Sequence, residues 1–257
     1  MPPNYLSNTG RPNQPWAEAA ARFYLQAIQG SDYEARVGSA LHTLVGATQD
    51  LLDIGAGGGQ PGAALLAPNA SWTAVEPTAA LARHLARRPE RPRVMRCTWQ
   101  ALPGSVTTEV YDVALAANTP LPLGDPVGFL RSLQPLVRDA IAWVVPAQAG
   151  PRRHCLAGFL PTDIHGESNE PAVAGVLRKL ETARLGPSAV QQVAWTFSAR
   201  FSSLAAAQLH LERQFNPTRC RRRRHRIRAR LARLPRATDG SITVSVPKQS
   251  ACLVWRH

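Results

Sequence analysis

The stretch that most constrains the fold is residues 50–62, where an apolar run ends in a cluster of glycines. Helix-forming residues follow it, so the order predicts a buried strand, a tight loop and a helix. Glycine tolerates positive φ angles and lets a ligand approach the bare backbone. The start of a helix offers unpaired N–H groups and a positive dipole end. The stretch therefore predicts that a nucleoside-like cofactor binds between the strand and the helix.

The spacing of acidic residues around the glycines narrows the choice of cofactor. Glu76 ends the next apolar stretch, about twenty residues on, where an acidic side chain accepts hydrogen bonds from a ribose. A dinucleotide site usually has the spacing Gly-x-Gly-x-x-Gly. Here Gly55, Gly57 and Gly59 alternate, and Asp53 stands two places before the first of them. That carboxylate is suited to a cationic amino group, which a diphosphate lacks.

Residues 50–62 resemble motif I of the class I S-adenosylmethionine (SAM) methyltransferases, and Val75-Glu76-Pro77 resembles the ribose-binding strand end of that family. The resemblance covers residues 50–145. It implies a doubly wound, Rossmann-like α/β fold with a seven-stranded sheet, N-terminal lid helices, a helical C-terminal insertion, and SAM as the cofactor. In this arrangement Asp53 holds the methionine amino group, the three glycines admit the cofactor, and Glu76 binds the ribose hydroxyls. The same fold also serves other chemistry.

Three more residues are candidate cofactor contacts. Thr98 stands where relatives often place an acid that contacts the adenine amino group. Trp99 offers the adenine a stacking face or a backbone N–H, with core packing as an equal alternative. Asn118 follows the fourth predicted strand, at the edge where ligands gather in an open α/β sheet; its alternative role is to cap a turn. The tetrapeptide from Asn118 to Leu121 is similar to the Asn-Pro-Pro-Tyr loop of amino-group methyltransferases, but its second proline is shifted and the aromatic residue is missing.

Helices before motif I commonly cover the SAM site in this family. The candidate lid residues, for which packing against the sheet is the alternative role, are Tyr24, Tyr33, Arg36 and His42.

Hydrophobic periodicity predicts alternating strands and helices over most of the chain. After the first strand, which ends at the glycines, strands are predicted at 71–76, 93–97, 110–116, 140–145, 189–197, 241–246 and 251–255, the last two as a possible hairpin. Helices are predicted at 16–30, 33–45, 60–67, 78–88, 126–137, 171–184, 202–214 and 217–234. We expect residues 1–15 to be flexible and residues 16–257 to form one domain. Its expected parts are lid helices at 16–48, a SAM-binding half at 49–146, and a substrate-side half at 147–257 with an insertion, a basic helix and closing strands.

Composition agrees with a folded protein and gives no sign of metal, disulfide or membrane. Hydrophobic residues make up 44% of the 257 residues, which is typical of a globular chain. The four cysteines are widely spaced without a CxxC pair, so neither a zinc site nor a disulfide framework is predicted. No apolar run reaches membrane-spanning length and the first residues lack signal-peptide features. We therefore expect a cytoplasmic protein.

The positive charge is concentrated in one predicted helix. Residues 213–236 contain eleven arginines and no acid, so most of the net charge of +13 lies there. The helix 217–234, with Asn216 as N-cap and Pro217 in its first turn, would present a phosphate-contacting surface from Arg221 to Arg233. No aromatic residue occurs between Asn216 and Trp255, although nucleic-acid readers usually interleave aromatics. A solvated helix whose arginines pair with acids elsewhere is the alternative.

Residues 146–171 form a long polar insertion beyond the fifth predicted strand, a good position for a substrate loop. Asp163, His165 and Glu167 alternate there and would project together from an extended chain. We predict His165 as a general base, with Glu167 or Asp163 supporting it. Metal ligation by these side chains and ordinary solvent-facing loop residues are the alternatives; no metal site is predicted.

Four functions are compatible with these patterns. The first is methyl transfer from SAM to a small-molecule metabolite. The second is an RNA methyltransferase that docks through the basic helix; the turn Gly59-Gln60-Pro61-Gly62 has a faint similarity to bacterial ribosomal-RNA guanine methyltransferases. The third is a SAM-using lyase or cyclase that transfers no methyl group, and the fourth is a non-catalytic SAM-binding or assembly protein. The sequence leaves the oligomeric state open.

Overall fold

The protein is seen here in a computed structural model that describes residues 16–102, 109–119, 123–151, 154–165, 170–215 and 220–256. One sheet contains seven strands in the order β3-β2-β1-β4-β5-β7-β6. β1 to β5 run parallel, and β7 runs antiparallel to both β5 and β6. The strands are β1 Thr48–Ile54, β2 Leu66–Val75, β3 Arg93–Met95, β4 Tyr111–Ala117, β5 Val137–Pro146, β6 Ala189–Phe201 and β7 Ile242–Arg256.

Helices cover both faces of this sheet. The α-helices are α1 Glu18–Gln29, α2 Ser39–Val45, α3 Gln60–Ala63, α4 Ala79–Leu85, α5 Pro126–Leu133, α6 Thr162–His165, α7 Ala172–Thr182, α8 Leu204–Phe215 and α9 Arg221–Leu231. A π-helical segment, Glu34–Gly38, leads into α2, and short 3-10 turns occupy Trp99–Ala101 and Gln134–Leu136. The prediction of a doubly wound, seven-stranded α/β sheet is confirmed.

The central strands have apolar residues on both sides because helices bury both faces of a parallel sheet. Leu115 of β4 packs in a core cluster with the lid helices and β7, whereas Ala114 packs in a second cluster with α5 and α7. Phe129 and Trp143 fill the centre of that second cluster, with ring centroids 5.0 Å apart. The near-continuous apolar runs at 110–116 and 140–145 therefore reflect a sheet buried on both sides.

The βαβ unit after the glycines differs from its prediction. The helix predicted at 60–67 ends at Ala63, and β2 begins at Leu66 instead of residue 71. Pro61 lies in the first turn, where proline is tolerated, whereas Gly62 is a poor helix former, and the helix ends after one turn. Thr48 then donates its backbone N–H to the Leu65 carbonyl at 2.8 Å, which starts the β1–β2 pairing early.

The predicted C-terminal hairpin is wrong, since residues 242–256 form one continuous strand. β7 pairs with β6 from Ile242 to Val254 and with β5 from Ser250 to Arg256. The segment between the two predicted strands, Pro247–Ser250, contains proline and three polar residues, which read as a turn. In the structure the alternation of buried and exposed residues passes through it without a break.

None of the helices in the described part of the chain is both long and apolar enough to cross a membrane. The predicted flexible segment 1–15 lies outside the described residues.

Candidate functional site

The glycine loop joins the carboxyl end of β1 to α3 and is held against the end of β2. Gly55, Gly57 and Gly59 have φ angles of +68°, +61° and +82°. The backbone N–H groups of Gly55 and Ala56 both donate to the Val75 carbonyl, at 2.7 and 3.1 Å. A β-carbon on Gly55 would lie only 2.7 Å from the Thr119 hydroxyl oxygen. Glycine is thus required at this position both by its backbone angle and by the close approach of the loop after β4.

Glu76 lies directly after β2 and fixes the loop. Its buried carboxylate accepts hydrogen bonds from the Gly57 N–H at 3.0 Å and the Thr78 N–H at 2.7 Å. Burial raises the pKa of the Glu76 carboxyl group, and these backbone hydrogen bonds oppose the rise. Glu76, which is predicted to bind the ribose hydroxyls, is therefore held in a fixed position beside the glycine loop.

Asp53 is the second buried acid of the loop. Its Oδ2 faces α3, where a β-carbon on Gly62 would lie 2.4 Å away. This oxygen makes no hydrogen bond of standard geometry within the described residues, although the nearby Trp72 indole N–H opposes the rise in the Asp53 pKa. Burial, with the nearby Glu76 charge, raises the pKa of Asp53 to about 7. A buried carboxyl group with an unsatisfied oxygen gains from a nearby cation. The prediction that Asp53 holds an amino group stays a prediction.

The first helix lies beside the glycine loop, and its role as a lid over a cofactor stays a prediction. The Tyr24 hydroxyl lies 3.6 Å from the position that a Gly57 β-carbon would take. Trp16 donates its backbone N–H to the Thr78 hydroxyl at 3.2 Å. On the surface, Glu18 forms an ion pair with Arg83 of α4 at 2.9 Å, as well as one with Arg22 on its own helix. The lid is therefore fastened to the elements that follow Glu76.

Arg36 and His42, two other candidate lid residues, are not partly buried beside the glycine loop as Tyr24 is. Both side chains are exposed, and Arg36 forms an ion pair with Asp32 at 3.7 Å.

Trp99 packs in the core cluster on the sheet face opposite the lid. Its ring meets Phe129 edge-to-face with centroids 5.1 Å apart. Its indole N–H is buried and has no acceptor among the described residues. Thr98 immediately precedes the 3-10 turn that Trp99 begins. Core packing of Trp99 is observed, and adenine contacts by Thr98 and Trp99 remain predictions.

Asn118 links three elements at the carboxyl end of β4. It adopts a positive φ of 51°. Its side-chain amide donates to the Tyr33 hydroxyl at 2.8 Å and lies 3.3 Å from the Ser250 hydroxyl. The Trp195 indole donates to the same serine oxygen at 3.1 Å, and the Trp195 and Tyr33 rings lie 4.5 Å apart. Asn118 therefore does more than cap a turn, since it joins the lid segment to β6 and β7.

Lys248 is a functional candidate that the sequence analysis missed. Its side chain is buried, and its ammonium group donates to the Ala157 carbonyl of the insertion at 2.8 Å. Burial lowers the pKa of Lys248 to about 8 and raises the pKa of the neighbouring Cys155 thiol to about 11. The signal that could have found it is the alternation along β7, in which residue 248 occupies a core-facing position.

Of the three predicted catalytic residues, only Asp163 has a side chain that the structure describes. Asp163 lies on α6 and pairs with Arg226 of α9, and this ion pair holds the pKa of the Asp163 carboxyl group below its usual range. His165 ends α6, and its side chain is not described. Glu167 lies outside the described residues. Their catalytic role stays a prediction, and the described side chains include no group of three potential metal ligands.

The basic helix α9 is fastened to the rest of the chain. Ile227 and Leu231 are buried beneath it. Arg224 pairs with Glu212 of α8 at 3.3 Å, and the Arg230 guanidinium lies 5.6 Å from the Phe159 ring centroid. The exposed arginines from Arg221 onward in this region that make no ion pair within the described residues are Arg221, Arg222, Arg228, Arg230, Arg233 and Arg236. The predicted cap residues Asn216 and Pro217 lie outside the described part.

The strand order, the antiparallel seventh strand and the glycine loop after β1 agree with the fold expected from motif I. The fold is of the class I methyltransferase type. No protein-family model matches the sequence, and no curated protein matches it.

Several solved structures are similar in fold at low sequence identity. One is the magnesium protoporphyrin IX methyltransferase of Synechocystis with bound S-adenosylhomocysteine (SAH), at 10% identity, with 89% of this chain and 84% of that chain covered and a TM-score of 0.48. A second is the 1,6-didemethyltoxoflavin-N1-methyltransferase of Burkholderia thailandensis, also with SAH, at 19% identity, coverage of 86% and 76%, and a TM-score of 0.44. A third is YjhP of E. coli, at 14% identity, coverage of 86% and 92%, and a TM-score of 0.49.

Proposed function

We propose that this protein is a SAM-dependent methyltransferase that acts on a small-molecule substrate. The observation that carries the proposal is the buried Glu76 carboxylate, held on the Gly57 N–H at the carboxyl ends of β1 and β2. Ligands of open α/β sheets bind at this edge. The alternating glycines preceded by Asp53 favour SAM over a dinucleotide.

The residues of the loop fit this cofactor. Gly57 and Gly59 leave the backbone bare at positive φ, Glu76 presents carboxylate oxygens for ribose hydroxyls, and Asp53 has a buried oxygen that makes no hydrogen bond of standard geometry in the described structure. When bound, SAM supplies an activated methyl group on a sulfonium.

The chain itself would orient the acceptor and exclude water. The lid helix α1 lies over the loop through Tyr24, which keeps solvent from the space next to Gly57. Holding two reactants in a productive geometry supplies much of the rate in such a transfer. An acceptor that must lose a proton also needs a base. His165, with Asp163 or Glu167 in support, remains our candidate for that role.

Calorimetric titration with SAM and with SAH tests the cofactor assignment. We expect saturable one-to-one binding of both, and at least a tenfold weaker interaction in Glu76→Ala. Failure of the wild-type protein to bind either compound would exclude the proposal. With an acceptor in hand, release of SAH as the product supports methyl transfer, whereas methylthioadenosine would identify a lyase or cyclase.

An RNA substrate is the second candidate because α9 and the residues after it expose Arg221, Arg222, Arg228 and Arg233. Phosphate contacts would make binding weaken steeply as salt rises. The pairing of Arg224 and Arg226 with acids of this chain gives two of the arginines a role within the fold.

A further inference from the structure

The regular pattern of β7 is interrupted by polar residues at core-facing positions. Every second residue from Ile242 onward is buried, and the positions on this side are Ile242, Val244, Val246, Lys248, Ser250, Cys252 and Val254. Lys248 is 8% exposed and Ser250 is 1% exposed. Proteins usually break their own hydrophobic pattern at functional sites, where the loss of stability has a compensating use.

Both residues lie at the ligand-binding edge of the sheet. Ser250 pairs with Pro146, the last residue of β5, so Lys248 lies just beyond the carboxyl end of that strand. Trp195 of β6 is the register partner of Lys248. The glycine loop and Asn118 follow the carboxyl ends of β1 and β4 at the same edge.

A continuous set of polar and aromatic side chains connects this position to the glycine loop. We call it the under-lid cluster and define it as Tyr24, Tyr33, Asn118, Trp195, Lys248 and Ser250. Asn118 joins Tyr33 to Ser250, and Ser250 joins Trp195. On the other side, Lys248 donates to the Ala157 carbonyl of the insertion at 2.8 Å. Lys248 therefore lies between the insertion and its register partner Trp195.

The ammonium group of Lys248 has too few partners for a buried charge. It has three donor hydrogens, and the one acceptor in the described structure is the Ala157 carbonyl at 2.8 Å. The buried Cys155 stays a neutral thiol, because burial raises its pKa to about 11. A buried charge is stable when a counter-ion and hydrogen bonds compensate for lost water. No described residue supplies an anion to Lys248.

We propose that Lys248 determines acceptor specificity by pairing with an oxyanion of the substrate, so that the acceptor is a small acidic molecule. The cluster presents one cation at its base and the rings of Tyr33 and Trp195 beside it, which suits an aromatic carboxylate or phenolate. Lys248 acts as a positioning residue for that anion. This inference rests on the proposed methyltransferase function and deepens it.

The test uses SAH-saturated protein and matched pairs of probes. Each pair contains an anion and a neutral analogue of similar shape: benzoate with benzamide, salicylate with salicylamide, and 2,4-dinitrophenolate with 2,4-dinitroanisole. Calorimetry of the wild-type protein at pH 7.0 is expected to show at least one anion that binds tenfold or more tightly than its neutral analogue. Equal binding within every pair, or no binding of any anion, would overturn the proposal.

Lys248→Met separates the charge from the shape of the side chain. We expect it to abolish the preference for the anion while SAH binding stays within twofold of wild type. The matched control is Lys179→Met, at the chain's only other lysine, an exposed residue of α7 that donates to the Gly124 carbonyl; it should keep the preference. Retention of the anion preference in Lys248→Met would refute the role of Lys248.

Two further measurements keep the result interpretable. Lys248→Arg retains the charge and should retain a preference for the anion, even where its affinity falls. If the methionine variant does not fold, Lys248→Gln is the uncharged variant that should lose the preference. A wild-type protein that binds neither SAM nor SAH refutes the proposed function. Intact SAH binding without an anion preference refutes only the inference about Lys248.

Discussion

At the scale of single residues, the buried Asp53 makes the stability of the protein depend on pH. Burial raises the pKa of its carboxyl group to about 7, from an ordinary value of 3.8. Between these two values the folded state keeps a proton that the unfolded state has lost, so the free energy of unfolding falls as pH rises from about 4 to 7. Asp53→Asn should remove this fall and unfold at a higher urea concentration than wild type at pH 8. The gain should be on the order of a few kcal/mol at most.

The same substitution should weaken SAM binding at least tenfold, which distinguishes a functional carboxylate from a merely tolerated one. If Asp53 holds the cofactor's amino group, binding at pH 6 must also release a proton from it. Calorimetry in buffers of different ionisation enthalpy measures that release. A variant that is less stable than wild type at pH 8, or that binds SAM normally, contradicts this account of Asp53.

His210 of α8 makes the opposite contribution to stability. Its ring lies 4.0 Å from the Phe23 ring of the lid helix, and burial lowers its pKa to about 4. The unfolded chain takes up a proton near the ordinary value of 6.5, so the free energy of unfolding falls as pH drops from about 6.5 to 4. When the pH falls from 7.5 to 5, the free energy of unfolding should decrease less in His210→Leu than in the wild-type protein. Urea titrations at both pH values check this.

The control is His42→Gln, at an exposed histidine of α2. It should follow the wild-type pH dependence. An unchanged acid sensitivity in His210→Leu would show that other groups dominate the loss of stability.

At the scale of elements, side chains of α9 hold the insertion in place, which we call its bracing role. Its Arg226 pairs with Asp163 of α6, and its Arg230 lies over Phe159 of the same insertion. Arg226→Ala should therefore increase amide exchange in Thr162–His165 severalfold, because the contact that orders this short helix is lost. Arg228→Ala is the matched control, as Arg228 is exposed on the same helix and makes no ion pair within the described residues. Exchange measured by mass spectrometry compares the two.

The same pair of variants addresses the RNA alternative. A phosphate-binding surface would lose affinity for RNA in Arg228→Ala, with a shallower dependence on salt, while exchange in α6 stays as in wild type. Equal exchange in α6 for both variants would contradict the bracing role of α9.

How much of the fold could be predicted depends on whether the signal is local. The βαβ order followed from the apolar runs and the glycines. The contact of Glu76 with Gly57 was seen only in the structure. Hydrophobic periodicity and composition gave wrong strand boundaries where polar residues occupy buried positions. Lys248 and Ser250 made one strand resemble two, because nothing local shows that Ala157 of the insertion binds Lys248 and that Asn118 binds Ser250.

The under-lid cluster was not predictable for a related reason. Asn118 contacts Ser250, which is 132 residues away in sequence, and Tyr33, which is 85 residues away. Such contacts are set by strand order, and one sequence does not reveal which strands become neighbours. Asp163 shows the same limit: its residue type suggested catalysis, whereas its partner in the structure is an arginine 63 residues later.

At the scale of the whole molecule, the sheet brings residues from both ends of the chain to one edge. The lid begins before β1, while Lys248 and Ser250 come from the last strand, β7. A cofactor that contacts the loop beneath the lid should therefore stabilise the molecule as a unit. Ligand at 100 times its Kd adds about 2.7 kcal/mol to the free energy of unfolding. For a chain of this size we expect SAH to raise the Tm by roughly 5–10 °C.

The Glu76→Gln variant distinguishes the stabilisation by bound SAH from the stability of the loop without ligand. A glutamine can accept from only one of the Gly57 and Thr78 N–H groups, since its amide nitrogen would face the other donor. The unliganded variant should lose about 1–3 kcal/mol for the buried donor left unpaired. Its Tm should also respond to SAH much less than wild type does, because the ribose ligand is altered. Thermal unfolding with and without SAH measures both effects.

Glu109→Gln is the matched control for this substitution. Glu109 is exposed, precedes β4 at the opposite edge of the sheet, and pairs with Arg93 at 2.7 Å. Its removal should leave the SAH-dependent rise in Tm intact, because the residue is remote from the glycine loop. If both variants respond to SAH as wild type does, Glu76 is a structural anchor for Gly57 alone. A response lost in Glu76→Gln and kept in Glu109→Gln instead assigns the cofactor to the edge where the lid, the loop and β7 meet.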